Sequence, residues 1–352
     1  MRVFRRFTKK QITLAAIVMA SLLLCAALAL TSSLLAASLA DQQAALRWDS
    51  GGGHAQISAF FADGEVLDFG SIMGFRGQIE RGLREASYMN SIEGARSYID
   101  AYSSIGSVQI VSERTRLDTQ AVGIGGDFFH FHPLELVGGT YFSGSELNKD
   151  AIIIDEEAAW QLFGASDVVG MSVTIGGVPH YVKGVVRRER GRMWEGAGLT
   201  TGYAYLSEES LAAYGTTAGI RHYEVVMPDP VSGFAYRLIS ENLPYSEDRM
   251  AVVDNSARYG IVPLLAVIAD SGLRSMHNHN IRYPFWENHA RGYEDILALI
   301  LILEALLLLT AFLIVLVGLI VVYRRRSWTW PGLAKRVFGV IYSLVRRIRR
   351  KR

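Results

Sequence analysis

Two histidine pairs, His130 with His132 and His277 with His279, are the best-placed chemical groups in this 352-residue chain. Residues two apart share one face of an extended segment, so either pair offers two metal ligands. Neither has a third ligand at a recognisable distance, and polar surface or loop histidines are the better reading. The sequence has no Gly-x-x-x-x-Gly-Lys-Ser/Thr loop to cradle phosphates. It also has no His-Glu-x-x-His zinc helix and no Gly-x-Ser-x-Gly nucleophile elbow. The lone cysteine, Cys25, sits in a long apolar run, so the remainder of the chain has no thiol nucleophile. No catalytic residue, metal or cofactor is expected.

The elements around these residues sort by charge. No charged residue occurs from Ile12 to Ala40, and Glu304 is the one charge from Ile296 to Val322. A hydrocarbon core of about 30 Å needs about 20 apolar residues in a helix, so both stretches are long enough to cross. Arg2, Arg5, Arg6, Lys9 and Lys10 precede the first run, and Arg324, Arg325, Arg326 and a basic terminus follow the second. The segment between them keeps 20 of the 36 basic residues but 33 of the 34 acidic ones, a formal charge of −13. The positive-inside rule then places both termini in the cytoplasm and residues 41–295 outside a bacterial plasma membrane. Basic runs beside a span anchor topology and lipid headgroups, so no nucleic-acid partner is expected. The uncharged first run far exceeds the roughly 7–15 residues of a signal-peptide core, which favours a retained helix. Leu24 before Cys25 argues against lipidation, and an exported domain without cysteine cannot use disulfides.

Glu304 is costly at membrane depth, on the order of 2–3 kcal/mol if ionised. It either snorkels or protonates in the outer third of the span, or it pairs with a polar group on a partner helix. Beyond the second span, Leu333, Val337, Ile341, Leu344, Val345 and Ile348 line one face of a short helix that carries Arg336, Arg346, Arg347 and Arg350 opposite. With Trp328 and Trp330 beside it, this reads as a cytoplasmic amphipathic helix at the interface. Its residues Leu333, Val337, Ile341, Arg346 and Arg347, together with Glu304, are candidate partner contacts.

Between the spans the pattern is α+β. A strand over 55–61, an amphipathic helix over 72–88 and strands over 107–112 and 119–124 form a first strand–helix–strand unit. A β-rich block follows. It holds a strand over 151–155, a helix over 156–163 closed by Gly164, and a hairpin turning at Gly176–Gly177. Residues 187–202, charged and Gly-rich, read as a mobile loop. A strand over 203–206 then leads through Ser207, a good N-cap, into a helix over 208–214. The first pattern returns as a strand over 223–227, a helix over 232–242 and a strand over 249–254. No turn signal separates Trp286 from the second span, so residues 280–295 read as a stalk continuing that helix above the membrane.

The stretch from Ala121 to Val186 resembles the periplasmic core domain of MacB-like ABC transporter permeases, of the FtsX-related superfamily. The resemblance rests on the order of Gly139–Phe142, Leu162–Phe163–Gly164, Val169–Gly170 and Val182–Val186, including Gly184. Thr140 stands where the family has arginine. The resemblance covers roughly residues 10–325. It implies two porter-like units, 55–124 and 221–256, around a β-rich insert over about 125–206. It also implies a non-catalytic permease-type subunit that works with a separate cytoplasmic ATPase. Such permeases carry three further spans after the core domain, and here one is followed by the basic tail over 323–352. A second permease subunit or a second copy is therefore expected, or a sensor or scaffold whose ectodomain binds an envelope ligand or partner.

Overall fold

A computed structural model describes residues 8–88, 94–246, 248–271, 277–278 and 280–325. The expected amphipathic tail, with Leu333, Val337, Ile341, Arg346 and Arg347, lies outside the described residues, as do His279 and the side chain of His277.

The chain opens with a 30-residue helix, α1 (Lys9–Ser38), which starts three residues before the expected span. A 3-10 turn at Ala40–Gln42 and a short helix, α2 (Ala44–Trp48), lead to β1 (His54–Phe61). Helix α3 (Phe69–Glu85) begins where Asp68 accepts a hydrogen bond from the Ser71 amide, a side-chain N-cap. The next strands, β2 (Ile99–Val111) and β3 (Arg116–Gly126), form a hairpin longer than the two short strands expected there. After α4 (Phe128–Phe131) and β4 (Glu135–Gly139) comes β5 (Ala151–Asp155). Helix α5 (Glu156–Phe163) ends at Gly164, whose φ of 73° is the left-handed C-cap conformation. Strands β6 (Ser172–Ile175) and β7 (Val178–Arg187) turn at Gly176–Gly177, both at positive φ as a type I′ hairpin requires. The chain continues through α6 (Arg192–Ala197), β8 (Tyr203–Ser207), α7 (Glu208–Tyr214) and β9 (Thr216–Thr217). Then follow β10 (His222–Pro228), α8 (Phe234–Asn242), β11 (Met250–Asp254), α9 (Ile261–Ala269) and the 41-residue α10 (Phe285–Arg325).

Among the described residues β1 to β11 form one sheet, whose main path runs β11-β1-β10-β2-β3-β8-β5-β7-β4 with β6 and β9 pairing to β2 beside it. The two strand–helix–strand units are therefore interleaved, each placing a strand between those of the other. The helices α3 and α8 cover one face, where Ile57, Ile72, Phe75, Ile79, Tyr223, Val225 and Ile239 are buried together. Arg76 of α3 donates to both carboxylate oxygens of Asp100 on β2, at 2.7 and 2.9 Å, and Tyr223 donates to the same group at 2.8 Å.

The β-rich block is a closed ring. β6 pairs with both β7 and the far end of β2, so the pairings run β2-β3-β8-β5-β7-β6 and back to β2. Ile110, Ile152, Ile154, Val173, Ile175, Val185 and Leu206 fill it. The long strands β2 and β3 serve both the ring and the interleaved sheet, which is why they outrun the lengths expected from their apolar patches.

At the edge of the ring Glu208 is buried, hydrogen-bonded to the Ser104 hydroxyl. Burial pushes its carboxyl up to about 7 against the opposing effect of that bond. The folded state then holds a proton that the unfolded state releases between about pH 4.5 and 7, so this group removes stability as pH rises through that window. Chemical unfolding of Glu208→Gln in detergent between pH 5 and 8 should show a flatter stability profile than the wild type, with the variant gaining relative stability at the alkaline end.

Two compact units emerge, residues 31–301 and residues 1–30 with 302–352. In the second, Ser21 and Ala311 are the buried positions among the described residues, and leucines such as Leu23, Leu306 and Leu319 are exposed. Both helices are long and apolar enough to cross a membrane.

Candidate functional site

The strands at the centre of the sheet carry polar residues on a face that is not solvated. In β1, Ala55, Ile57, Ala59 and Phe61 face the helices, while Gln56 and Ser58 point the other way and are fully buried. In β10, Tyr223, Val225 and Met227 alternate with buried His222 and Glu224 in the same fashion. Period-two alternation of this kind ordinarily marks a solvent face. Here α2, α4 and the first turns of α10 cover it, and every polar group on it needs a partner.

Gln56 holds the chain as it leaves α1. Its amide donates to the Asp41 carbonyl at 2.7 Å, and its side-chain oxygen accepts from the Ala44 amide at 2.9 Å. Arg47 adds bonds to the carbonyls of Ala40 and His130, each 2.6 Å.

From Asp41 a buried chain of polar contacts crosses the domain. His132 lies between two carboxylates, with Nδ1 3.3 Å from Asp41 and Nε2 2.5 Å from Glu224. Its ring sits between Phe128 and Trp286, both centroids 4.7 Å away. Burial by itself would lower its pKa, but the Glu224 carboxylate, with Asp41, outweighs burial and lifts it to about 10. The imidazole is therefore a cation at neutral pH. Glu224 accepts from the Ser58 hydroxyl at 2.8 Å, and Ser58 accepts from the Asn255 amide at 2.7 Å. Asn255 accepts from Arg258 at 3.1 Å. Arg258 then donates to both oxygens of Glu287, at 2.7 and 2.6 Å, and through Nε to Glu294 at 2.5 Å. Glu287 and Glu294 belong to α10. Every step from the 3-10 turn that follows α1 to the first turns of α10 is thus a hydrogen bond or ion pair among buried or nearly buried groups. His222, beside this chain, is held neutral, since burial, with Arg221 and cationic His132, drives its pKa down to about 3.

A cavity of about 250 Å³ adjoins this chain, lined among others by Asp41, Asp155, Trp194, Tyr203, Trp286 and His289. Trp286 Nε1 and Asp155 Oδ2 are buried there without a hydrogen-bond partner among the described residues. Residues 187–202 close one side of it as a folded segment: Trp194 of α6 stacks on His289 at 3.6 Å and 6°. The mobile loop expected from its glycines is therefore corrected, because an aromatic stack and the Asn288 bond to the Ala197 carbonyl at 3.1 Å hold it. From Phe285 the expected stalk is continuous with the second long helix, and its first turns pack against the domain. Phe285, Trp286, Glu287 and Ala290 are buried against the domain, since the apolar and acidic residues of that turn find partners there.

His132, read from sequence as a surface or loop histidine, is instead the centre of this buried cluster. His130 donates from Nε2 to the Ala44 carbonyl at 3.0 Å. No group of three metal-ligating side chains occurs among the described residues. Sequence reasoning missed Glu224, Ser58, Asn255 and Arg258. The available signal was the run of polar residues at alternate positions in strands whose other face is strongly apolar.

The motif residues lie apart from this chain. Gly139 pairs with Gly184 between β4 and β7, next to an irregularity in register. A Cβ on Gly139 would meet the Lys183 carbonyl oxygen at 2.2 Å, and its φ is +79°. Phe142 packs into the core beside Phe129, and Leu162 is the fully buried residue of the last turn of α5, with Phe163 and Gly164 ending that helix. Gly170, also at positive φ, donates to the Val182 carbonyl at 2.7 Å and has open space around its Cα. Gly139→Ala should cost about 1–3 kcal/mol in equilibrium unfolding, through strain and carbonyl contact together. Gly170→Ala, with strain alone, should cost less, roughly 1–2 kcal/mol. Glu304 sits in α10 with one carboxylate oxygen buried and unpartnered among the described residues.

Comparison with known proteins adds a family. Residues 12–242 match the MacB-like periplasmic core domain. Over 78 residues the chain is 32% identical to the macrolide export ATP-binding/permease protein MacB of Chromobacterium violaceum, which is 21% of this chain. The chain spans 12% of that relative's length. Among solved structures, the periplasmic region of MacB from Actinobacillus actinomycetemcomitans is similar with a TM-score of 0.40 and 16% identity, covering 66% of this chain and 99% of that one. The extracellular domain of the noncanonic ABC-type transporter YknZ from Gram-positive bacteria gives 0.35 and 17%, covering 56% and 100%. A domain of a permease-type protein from Porphyromonas gingivalis gives 0.33 and 14%, covering 61% and 96%.

Proposed function

The chain belongs to the MacB-like periplasmic core domain family, and on that premise we propose that it is a non-catalytic permease-type subunit of an ABC transporter. Its ectodomain transmits movement between the membrane and an outside substrate or partner. The observation that carries this reading is the buried polar chain from Asp41 through His132, Glu224, Ser58, Asn255 and Arg258 to Glu287 and Glu294. It ties the 3-10 turn that follows one apolar helix to the first turns of the other through the middle of the sheet. A displacement of either end is then resisted by directional bonds in a low-dielectric interior, where their rupture is costly.

On this reading both termini lie in the cytoplasm and ATP hydrolysis belongs to a partner ATPase. Glu304 pairs with a polar group on a second permease subunit or a second copy, and the basic tail helix contacts the ATPase, that subunit or the inner lipid surface. Purification of the full chain in mild detergent should recover an ATPase bearing a phosphate loop, together with another permease or a second copy. Recovery of neither would sink this reading. The cavity beside Trp286 and Asp155 favours a second one, a membrane-anchored sensor or scaffold whose ectodomain binds an envelope ligand. Purification without an ATPase, but with a bound small molecule or envelope protein, would support it.

A further inference from the structure

Helix α9, Ile261–Ala269, has the sequence IVPLLAVIA and no polar side chain on any face. Its N-cap Gly260 is extended and accepts from the Leu264 amide at 3.1 Å. Pro263 falls in the first turn, where a backbone N–H has no intrahelical partner to lose. The inner face is formed by Leu264, Val267 and Ile268. They pack with Leu35 and Ala36 from the last turns of α1 and with Leu297, Ala298, Ile300 and Leu301 of α10. The outer face is Ile261, Val262 and Leu265, which are 67%, 77% and 53% exposed. A surface helix of a soluble domain has one apolar stripe and one polar face, whereas a helix apolar all round meets apolar surroundings on both sides.

What covers the outer face follows from what lies under the inner one. The inner face rests on the ectodomain ends of the two helices that are long and apolar enough to cross a membrane. Leu34 and Leu299, neighbours of those packing residues in sequence, are themselves exposed. The apolar surface of these helix ends thus continues onto α9. Just before α9, Arg258 is fixed to Glu287 and Glu294, which holds the helix in place against α10.

We propose that α9 is an interfacial helix seated in the bilayer, with Ile261, Val262 and Leu265 among the lipid acyl chains at the ectodomain face of the membrane. It makes the lipid surface a third support of the ectodomain beside the two spans. A bilayer whose packing or thickness changes at that depth acts directly on the segment that leads from β11 to α10.

Spin labelling of the full chain tests this. Cys25→Ser removes the single native thiol, after which Val262→Cys and Leu265→Cys each carry one nitroxide, with the protein in vesicles of phosphatidylethanolamine and phosphatidylglycerol. Oxygen concentrates in acyl chains and a nickel chelate stays in water. The ratio of oxygen to nickel collisions at 262 and 265 should be several-fold higher than at Leu147→Cys, an ectodomain position that is 97% exposed. A ratio equal to that at 147 would place α9 in water and overturn the proposal. Exclusion of both reagents at 262 and 265 would show a protein cover, such as a second copy, and overturn it as well. Leu23→Cys in the first span reports on the membrane reading itself. An aqueous ratio there would overturn both, whereas a lipid ratio at 23 with an aqueous one at 262 overturns this inference alone.

Discussion

His132→Ala should destabilise the ectodomain by about 3–5 kcal/mol, the range for removing one partner of a buried ion pair. The loss comes less from the missing imidazole than from what it leaves behind. Glu224 is buried at the centre of the sheet and keeps only the Ser58 hydroxyl as a donor. The pH dependence has a definite sign. The histidine's folded pKa of about 10 lies above its unfolded value of about 6.5. Its contribution is therefore complete below about pH 6.5 and is lost as pH rises towards and through 10. Denaturant unfolding of wild type and His132→Ala at pH 6, 8 and 9.5 should show the gap between them narrowing with pH. A gap that widens would reverse the assignment of charge. Adding Glu224→Gln to His132→Ala should recover part of the loss, because the orphaned charge is then gone.

Arg258→Ala should be at least as costly, again about 3–5 kcal/mol, since one guanidinium serves two carboxylates on α10. Arg258 and Glu287 are each 2% exposed at the side chain, so solvent screens little of this interaction. Arg258→Lys separates charge from geometry. A lysine ammonium keeps the charge but cannot present the planar fork that reaches both oxygens of Glu287, Glu294 and Asn255 together. The lysine variant should fall between wild type and alanine in thermal unfolding. Equal stability of lysine and arginine would mean that charge alone holds the start of α10. If the polar chain transmits movement, Arg258→Lys should also reduce transport more than it reduces complex assembly, a comparison available once the partner proteins are purified with this chain.

The elements that follow from local chemistry were legible in the sequence. The apolar runs announce the two long helices because nothing but apolar surroundings accepts 20 such residues. Asp68, Ser207, Gly164 and Gly176–Gly177 punctuate helices and a hairpin where their side chains or free backbone angles are needed. The order of Gly139, Leu162, Gly170 and Val182 pointed to the family that the match over residues 12–242 then established. These signals work because each depends on a few consecutive residues.

The polar chain depends on residues up to 197 positions apart, as Ser58 is from Asn255, and no local pattern records which strands become neighbours. Only the interleaved order β11-β1-β10-β2 puts Ser58 opposite Glu224, and only α2, α4 and α10 packed over that face turn an alternation typical of a solvated strand into a buried one. His132 is a loop histidine by sequence and a buried cation by structure, because its charge is set by Asp41 and Glu224, neither of which is near it in the chain. The sequence by itself determined the two long apolar helices, the caps and turns, and the family. Tertiary structure decided which charges are buried together, since that is a matter of strand order and long-range packing.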